Sequence, residues 1–215
     1  MPRALTRMRP TVVLLVRHGR TPTTGVINYG RAPGIHLNAK GRQQAEALAR
    51  RLGPLPRIAA VYASPLERAR ETAAPVARAR RLPVRIERGL NDSDAGRWTG
   101  VKLAALRRTP EWRIVQRHPS GFRFPGGESF IEIQARITAT LARLVERHRG
   151  AIIVAVSHAD PIKIALAHAL GLHPDFFQRI AIAPASVTAI AYHPEAPVIL
   201  TVNSTDGDLA GLRPR

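Results

Sequence analysis

The chain has 215 residues with 45% apolar and 22% charged side chains, enough for one domain with a sizeable core, which excludes a globally disordered protein. Cysteine is absent, which excludes disulfides, thiolate metal sites, iron–sulfur clusters and a cysteine nucleophile. Lys and Arg number 33 against 15 Asp and Glu, a net charge of +18 carried almost wholly by arginine, and this surface attracts anions; because the arginines are spread along the whole chain, a compositional habit is the plainer reading, with a strongly anionic partner or substrate as the other.

In chain order, residues 11–16 are short, β-branched and wholly apolar, the pattern of a buried parallel strand. Residues 21–37 are rich in Gly, Pro and Thr and predict a loop. Asn38 is a candidate cap for a helix over 39–52, with Ala45, Leu48, Ala49 and Leu52 on one face and Gly53 at its stop. Residues 58–63 form a second buried strand. Ser64-Pro65 then predicts a helix start, with Ser as cap and Pro at the first position, and Pro75 a kink or end. Residues 84–87 read as a third strand.

Residues 89–127 are irregular, with one helix near 101–108, and predict a lid. Trp98, Trp112, Phe122 and Phe124 read as the small core of that segment, or else as a pocket wall. Phe130, Ile133, Ile137, Leu141 and Leu144 fall at helical spacing, so residues 129–148 form the clearest helix. Residues 151–156 are another buried strand. Asp160-Pro161 opens a helix ending at Gly171, with Asp160 as its cap, and residues 187–192 and 198–202 are the last strands. Short flexible tails are expected at both ends of a single domain spanning 1–215. The longest apolar runs are far below the roughly 20 residues of a membrane helix, and residues 12–16 are too short for a signal sequence, so a cytoplasmic protein is expected.

Strands alternating with helices predict an α/β three-layer sandwich: a mostly parallel mixed sheet with helices on both faces. In such sheets function gathers beyond the carboxyl ends of the strands. Two apolar strands each deliver a histidine there, in Arg17-His18-Gly19 and in Ser157-His158. A neutral imidazole is a competent nucleophile toward phosphorus, and Arg17 offers a fork suited to phosphoryl oxygens. Arg68, in the first turn of the helix after Ser64, can point back to the same crevice, whereas Arg70 lies on another face and is expected in solvent.

These pieces, in this order, resemble the histidine phosphatase superfamily, the phosphoglycerate mutase-like proteins. The resemblance runs through Leu15-Val16-Arg17-His18-Gly19-Arg20-Thr21, Leu37-Asn38-Ala39-Lys40-Gly41, Ser64-Pro65-Leu66-Glu67-Arg68-Ala69, Leu90-Asn91-Asp92, Pro125-Gly126-Gly127-Glu128-Ser129 and Val156-Ser157-His158. It implies that His18 accepts the phosphoryl group as a phosphohistidine. Arg17, Arg68 and His158 would neutralise the phosphoryl oxygens, Asp92 would protonate the leaving oxygen, and no metal or other cofactor would be needed. The acid position more often carries Glu, so Asp94, Glu128 and Asp160 compete with Asp92 for the role. Thr24 stands where many members carry Asn, which puts its part in phosphate binding in doubt. His18 must be neutral and Asp92 protonated together, which predicts a pH optimum on the acidic side of neutral.

The implied partner is a small phosphorylated substrate, with no specific nucleic acid and no membrane; the oligomeric state stays open, a homodimer included. The arginine richness suggests a substrate with more than one negative group. A mutase is the alternative within the family, disfavoured because residues 100–125 are short. A non-catalytic polyanion- or nucleic-acid-binding scaffold is the alternative outside it, disfavoured by an aromatic content of only 5%. A metal hydrolase would need ligands such as His158, Asp160, His168 and His173, whose spacing matches no recognised motif.

Overall fold

The structure, a computed structural model, describes residues 9–207, 209, 211 and 212; the tails expected at residues 1–8 and 213–215 lie outside the described residues. The elements follow in the order β1 (Thr11–Arg17), β2 (Ile27–Asn28), α1 (Ala39–Leu52), β3 (Ile58–Ala63), α2 (Glu67–Ala79), β4 (Val84–Ile86), β5 (Val101–Lys102), α3 (Leu103–Leu106), α4 (Pro110–Arg117), α5 (Phe130–Arg147), β6 (Ile152–Ser157), α6 (Ala159–Ala169), β7 (Val187–Tyr192) and β8 (Pro197–Ser204). Six strands form one sheet in the order β4-β3-β6-β1-β7-β8, and β2 pairs with β5 separately. The first four are mutually parallel, and β7 and β8 add on antiparallel. This is the mixed, mostly parallel α/β sheet that the sequence predicts.

The wholly apolar strands are central because both of their faces are covered. Val12, Leu14 and Val16 of β1 pack with Leu48 and Leu52 of α1 and Ala69, Ala73 and Val76 of α2. Val13 and Leu15, pointing the other way, pack with Ile133, Ile137 and Leu141 of α5 and Ile162 and Ala165 of α6. Each fully buried Val or Leu contributes roughly 1.5–3 kcal/mol of transfer free energy, so the two clusters fix the three layers. Local chemistry sets the helix starts. Asn38 Oδ1 accepts from the Gly41 amide at 2.8 Å, and Ser129 and Glu132 form a reciprocal capping box at α5.

Several expectations are corrected. Ser64 is not a helix cap. The cap position of α2 is Leu66, whose side chain has no acceptor; the Ser64 hydroxyl reaches only the Leu66 amide, at 3.4 Å, while bonding Asn91 and His158 as well. Pro75 does not end α2, which continues to Ala79. Asp160 lies within the first turn of α6, whose cap position is His158. Glu87 is not the end of β4; it accepts from the Gly89 amide at the start of a short turn. The segment 89–127 holds two helices rather than one, since α4 follows α3. Trp98, Phe122 and Phe124 do not make a separate core: they join the large cluster beneath α5 and α6, through Phe130 and Phe177.

Candidate active site

β1 and β6 are parallel neighbours, and their last residues, Arg17 and Ser157, are register partners. The next residues are His18 and His158. The His18 amide donates to the Ser157 carbonyl at 2.9 Å, and the two imidazole centroids lie 5.1 Å apart. His18 Nδ1 is 2.8 Å from the Gly19 carbonyl. A carbonyl only accepts, so Nδ1 carries the hydrogen and Nε2 keeps its lone pair. His18 is 7% exposed, and its pKa is held well below the ordinary imidazole range, by burial first, then by His158, Arg68 and Arg17. The Gly19 amide donates to Thr72 Oγ1 at 2.9 Å, and that hydroxyl donates to the Arg68 carbonyl at 2.7 Å, which ties the nucleophile loop to α2.

Arg68, the second residue of α2, is buried. Its Nη2 donates to the Gly30 carbonyl at 2.8 Å and to Asp92 Oδ2 at 3.1 Å. Arg17 donates from Nη1 to the Ile182 carbonyl at 2.6 Å. Burial lowers the Arg17 pKa against the opposing pull of Asp160 and Asp92. Among the described residues, buried Arg17 Nε and Arg68 Nη1 have no protein acceptor. A buried unmet N–H is costly, and a phosphoryl oxygen is the acceptor that two such forks suit. Arg70 is exposed, as expected.

His158 is buried behind this surface and does not line the pocket. Ser64 Oγ donates to Asn91 Oδ1 at 3.2 Å, so its lone pair accepts from His158 Nε2 at 2.9 Å. That places the hydrogen on Nε2, while Nδ1 faces Asp92 Oδ2 at 3.3 Å. Burial, and then the charges of Arg68 and Arg17, depress the His158 pKa well below its ordinary value.

Of the four carboxylates weighed from the sequence, Asp92 is the one that meets both Arg68 and His158. Glu128 is gripped by Arg136 at 2.9 Å and Arg31 at 2.6 Å. Burial raises its pKa, but the Arg136 and Asp94-amide hydrogen bonds and the two arginine charges outweigh that, so the net shift is downward. Asp94 pairs with Arg31 at 3.5 Å, and Asp160, on the pocket wall, with Lys163 at 3.6 Å. Thr24 also lines the pocket, but its hydroxyl accepts from the Thr21 amide at 2.8 Å and so belongs to the loop's own turn.

Sequence reasoning missed the residues that hold this loop. Arg136 donates to the carbonyls of Gly89, Asn91 and Asp92 at 2.8–3.2 Å, and Arg31 Nε to the Asp92 carbonyl at 2.9 Å. The available signal was a guanidinium beside Ile133 and Ile137, on the flank of the apolar stripe of α5. The pocket holds about 430 Å³, and Arg17, His18, Arg68 and Asp92 are part of its lining. Among the described residues, no group of three or more His, Asp or Glu side chains is arranged to hold a metal ion.

Two buried imidazoles and half-buried Arg17 at the ends of β1 and β6, joined by buried Arg68 from α2, define an α/β site of the histidine phosphatase kind. The sequence profile described as "Histidine phosphatase superfamily (branch 1)" matches residues 13–205, and the chain belongs to this family. It is 34% identical over 201 residues to a bifunctional protein of Mycobacterium tuberculosis, covering 93% of this chain and 55% of that one. The chain thus spans about half the length of that relative. It is 30% identical over 195 residues to phosphoserine phosphatase 1 of Hydrogenobacter thermophilus, covering 90% and 92%. A phosphoserine phosphatase of Entamoeba histolytica, solved in complex with phosphoserine, superposes with a TM-score of 0.82 at 26% identity, covering 91% and 98%. Among the described residues, no helix is long and apolar enough to cross a membrane.

Proposed function

We propose that the chain is a single-domain, metal-independent phosphomonoester hydrolase that acts on a small phosphorylated metabolite through a phosphohistidine on His18. One observation carries this reading: the free Nε2 lone pair of a neutral His18 beside two guanidinium groups, that of buried Arg68 and that of half-buried Arg17, each with a buried donor that is unmet. Phosphoryl oxygens take those donors and displace Asp92 Oδ2 from Arg68. His18 Nε2 attacks phosphorus, the bond from phosphorus to the leaving oxygen breaks, and Asp92 gives that oxygen its proton. Water then attacks the phosphohistidine while Asp92 takes its proton; the N–P bond breaks and orthophosphate leaves. Arg17 and Arg68 stabilise the equatorial oxygens in both steps, with His158 beside them. Thr24 orders the loop at the pocket mouth, and segment 89–127 closes the far wall as a lid.

Purified protein assayed with p-nitrophenyl phosphate in EDTA tests this. Release of orthophosphate is expected, with a loss of about 10⁴-fold or more in kcat for His18→Ala and an acid-labile phosphoryl-enzyme in rapid-quench samples. Full activity in His18→Ala would refute the assignment, and transfer to a second hydroxyl without free phosphate would favour a mutase. The same reading puts the protein in the cytoplasm with its phosphorylated substrates, which cell fractionation checks.

A further inference from the structure

The phosphoryl cradle makes up only part of the pocket lining, and the rest differs from it in chemistry. Outside the cradle, Lys163 is the one cation on the pocket wall among the described residues. It is already neutralised, with Nζ 3.6 Å from Asp160 Oδ1 and 3.1 Å from Gln178 Oε1. Among the described residues, the other arginines of this +18 chain do not line the cavity. A second phosphate or a carboxylate on the substrate would have to be desolvated there without a free counter-charge.

What the far wall offers is flat and apolar. Trp98 and Trp112 lie nearly parallel, with centroids 6.3 Å apart and planes at 27°. Trp98 is fixed edge-on by Phe124 and tilted against Phe122. Trp112 and Val115 of α4 face the cavity with Leu103, and the neutral amides of Asn28, Gln116 and Gln178 supply the polar groups. Indoles already held by packing lose little freedom when a ring lands on them. A volume of about 430 Å³ lies within the roughly 300–1,000 Å³ typical of sites that enclose whole small-molecule ligands, and exceeds what a phosphorylated three-carbon acid fills.

We infer that the leaving group is an uncharged alcohol carrying a flat aromatic ring, seated against Trp112 with its polar substituents on the pocket amides. This replaces the multiply charged substrate suggested by composition, and it rests on the phosphatase reading above.

The test compares three phosphate esters of primary alcohols, so that leaving-group reactivity is matched: 2-phenylethyl phosphate, O-phosphoserine and 3-phosphoglycerate. The ring-bearing ester is expected to show kcat/KM at least about tenfold above the other two. Trp112→Ala should erase that preference through KM, and Trp112→Phe should retain most of it. Equal or greater turnover of the anionic esters overturns the inference, as does a Trp112→Ala variant that lowers all three alike. No phosphate from any of them, nor from p-nitrophenyl phosphate, refutes the phosphatase reading instead. Calorimetric binding then decides the inference alone: tighter binding of 2-phenylethyl phosphate than of O-phosphoserine supports it, and equal binding overturns it.

Discussion

His18 and His158 carry neutral rings in a place where protons are unwelcome, and this leaves a signature in acid. Both pKa values are depressed on folding, by burial and by neighbouring arginines. Below about pH 6.5 the unfolded chain takes up protons that the folded rings refuse, so stability is full above that pH and declines beneath it, by up to about 1.4 kcal/mol per pH unit for each ring. Glu128, Glu132 and Asp175, whose values are lowered, act only near and below the ordinary carboxylate range. His148, lowered by burial and then by Arg85 and Arg147, adds to the same window, so urea midpoints between pH 7.5 and 5.5 report these three rings together, and a flat profile would contradict them. The same depression keeps His18 nucleophilic, so kcat/KM should not drop through pH 6.5; a rate rising steadily to pH 9 would contradict Asp92 as acid. Arg136→Ala removes the donors to three carbonyls and the main partner of Glu128. We expect a loss of about 3 kcal/mol in denaturant unfolding and a fall in kcat. Arg136→Lys should restore little of either, because a point charge cannot replace a fork.

Among the elements, α1 is pressed onto the nucleophile loop. A Cβ on Gly41 would stand 2.0 Å from the Arg20 carbonyl oxygen and 2.9 Å from the Arg20 nitrogen. Helix propensity alone would favour Gly41→Ala by about 1 kcal/mol. The clash with main chain is larger, so the variant should keep its helical circular dichroism while kcat/KM falls at least about tenfold. The strands and α5 were legible because their signals are local: apolar runs, a 3.6-residue stripe, and Ser129 three residues before Glu132. For α4 the signals were local but faint, namely the Thr109 cap, Pro110 at the first position, and only Trp112 and Val115 facing inward. Ser64 misled for the opposite reason. Its sequence neighbourhood suits a cap, but beyond a long contact with the Leu66 amide its hydroxyl serves Asn91 and His158, which no local pattern reveals. Arg31 and Arg136 were hidden because their partners are carbonyls of a distant loop.

For the molecule as a whole, the motif blocks in order were enough to read the fold and the convergence of His18, Arg17, Arg68 and Asp92. The pocket's far wall was not readable, because it is assembled from β2, α3, α4 and the turn after α6. The positive charge lies largely outside the cavity, so it acts at a distance, drawing phosphate dianions inward from solution. Raising NaCl from about 0.05 to 0.5 M should lower kcat/KM a few-fold through KM while kcat holds; an unchanged KM would assign the charge no such part. One last consequence follows from the pairing of Arg17 with Ser157. The two imidazoles follow the same rung of one parallel ladder, so deleting one residue from either β1 or β6 would swing one ring to the opposite side of the sheet while the other stayed put. Insertions can accumulate in the long stretch between them, but those two short strands can change length only in step.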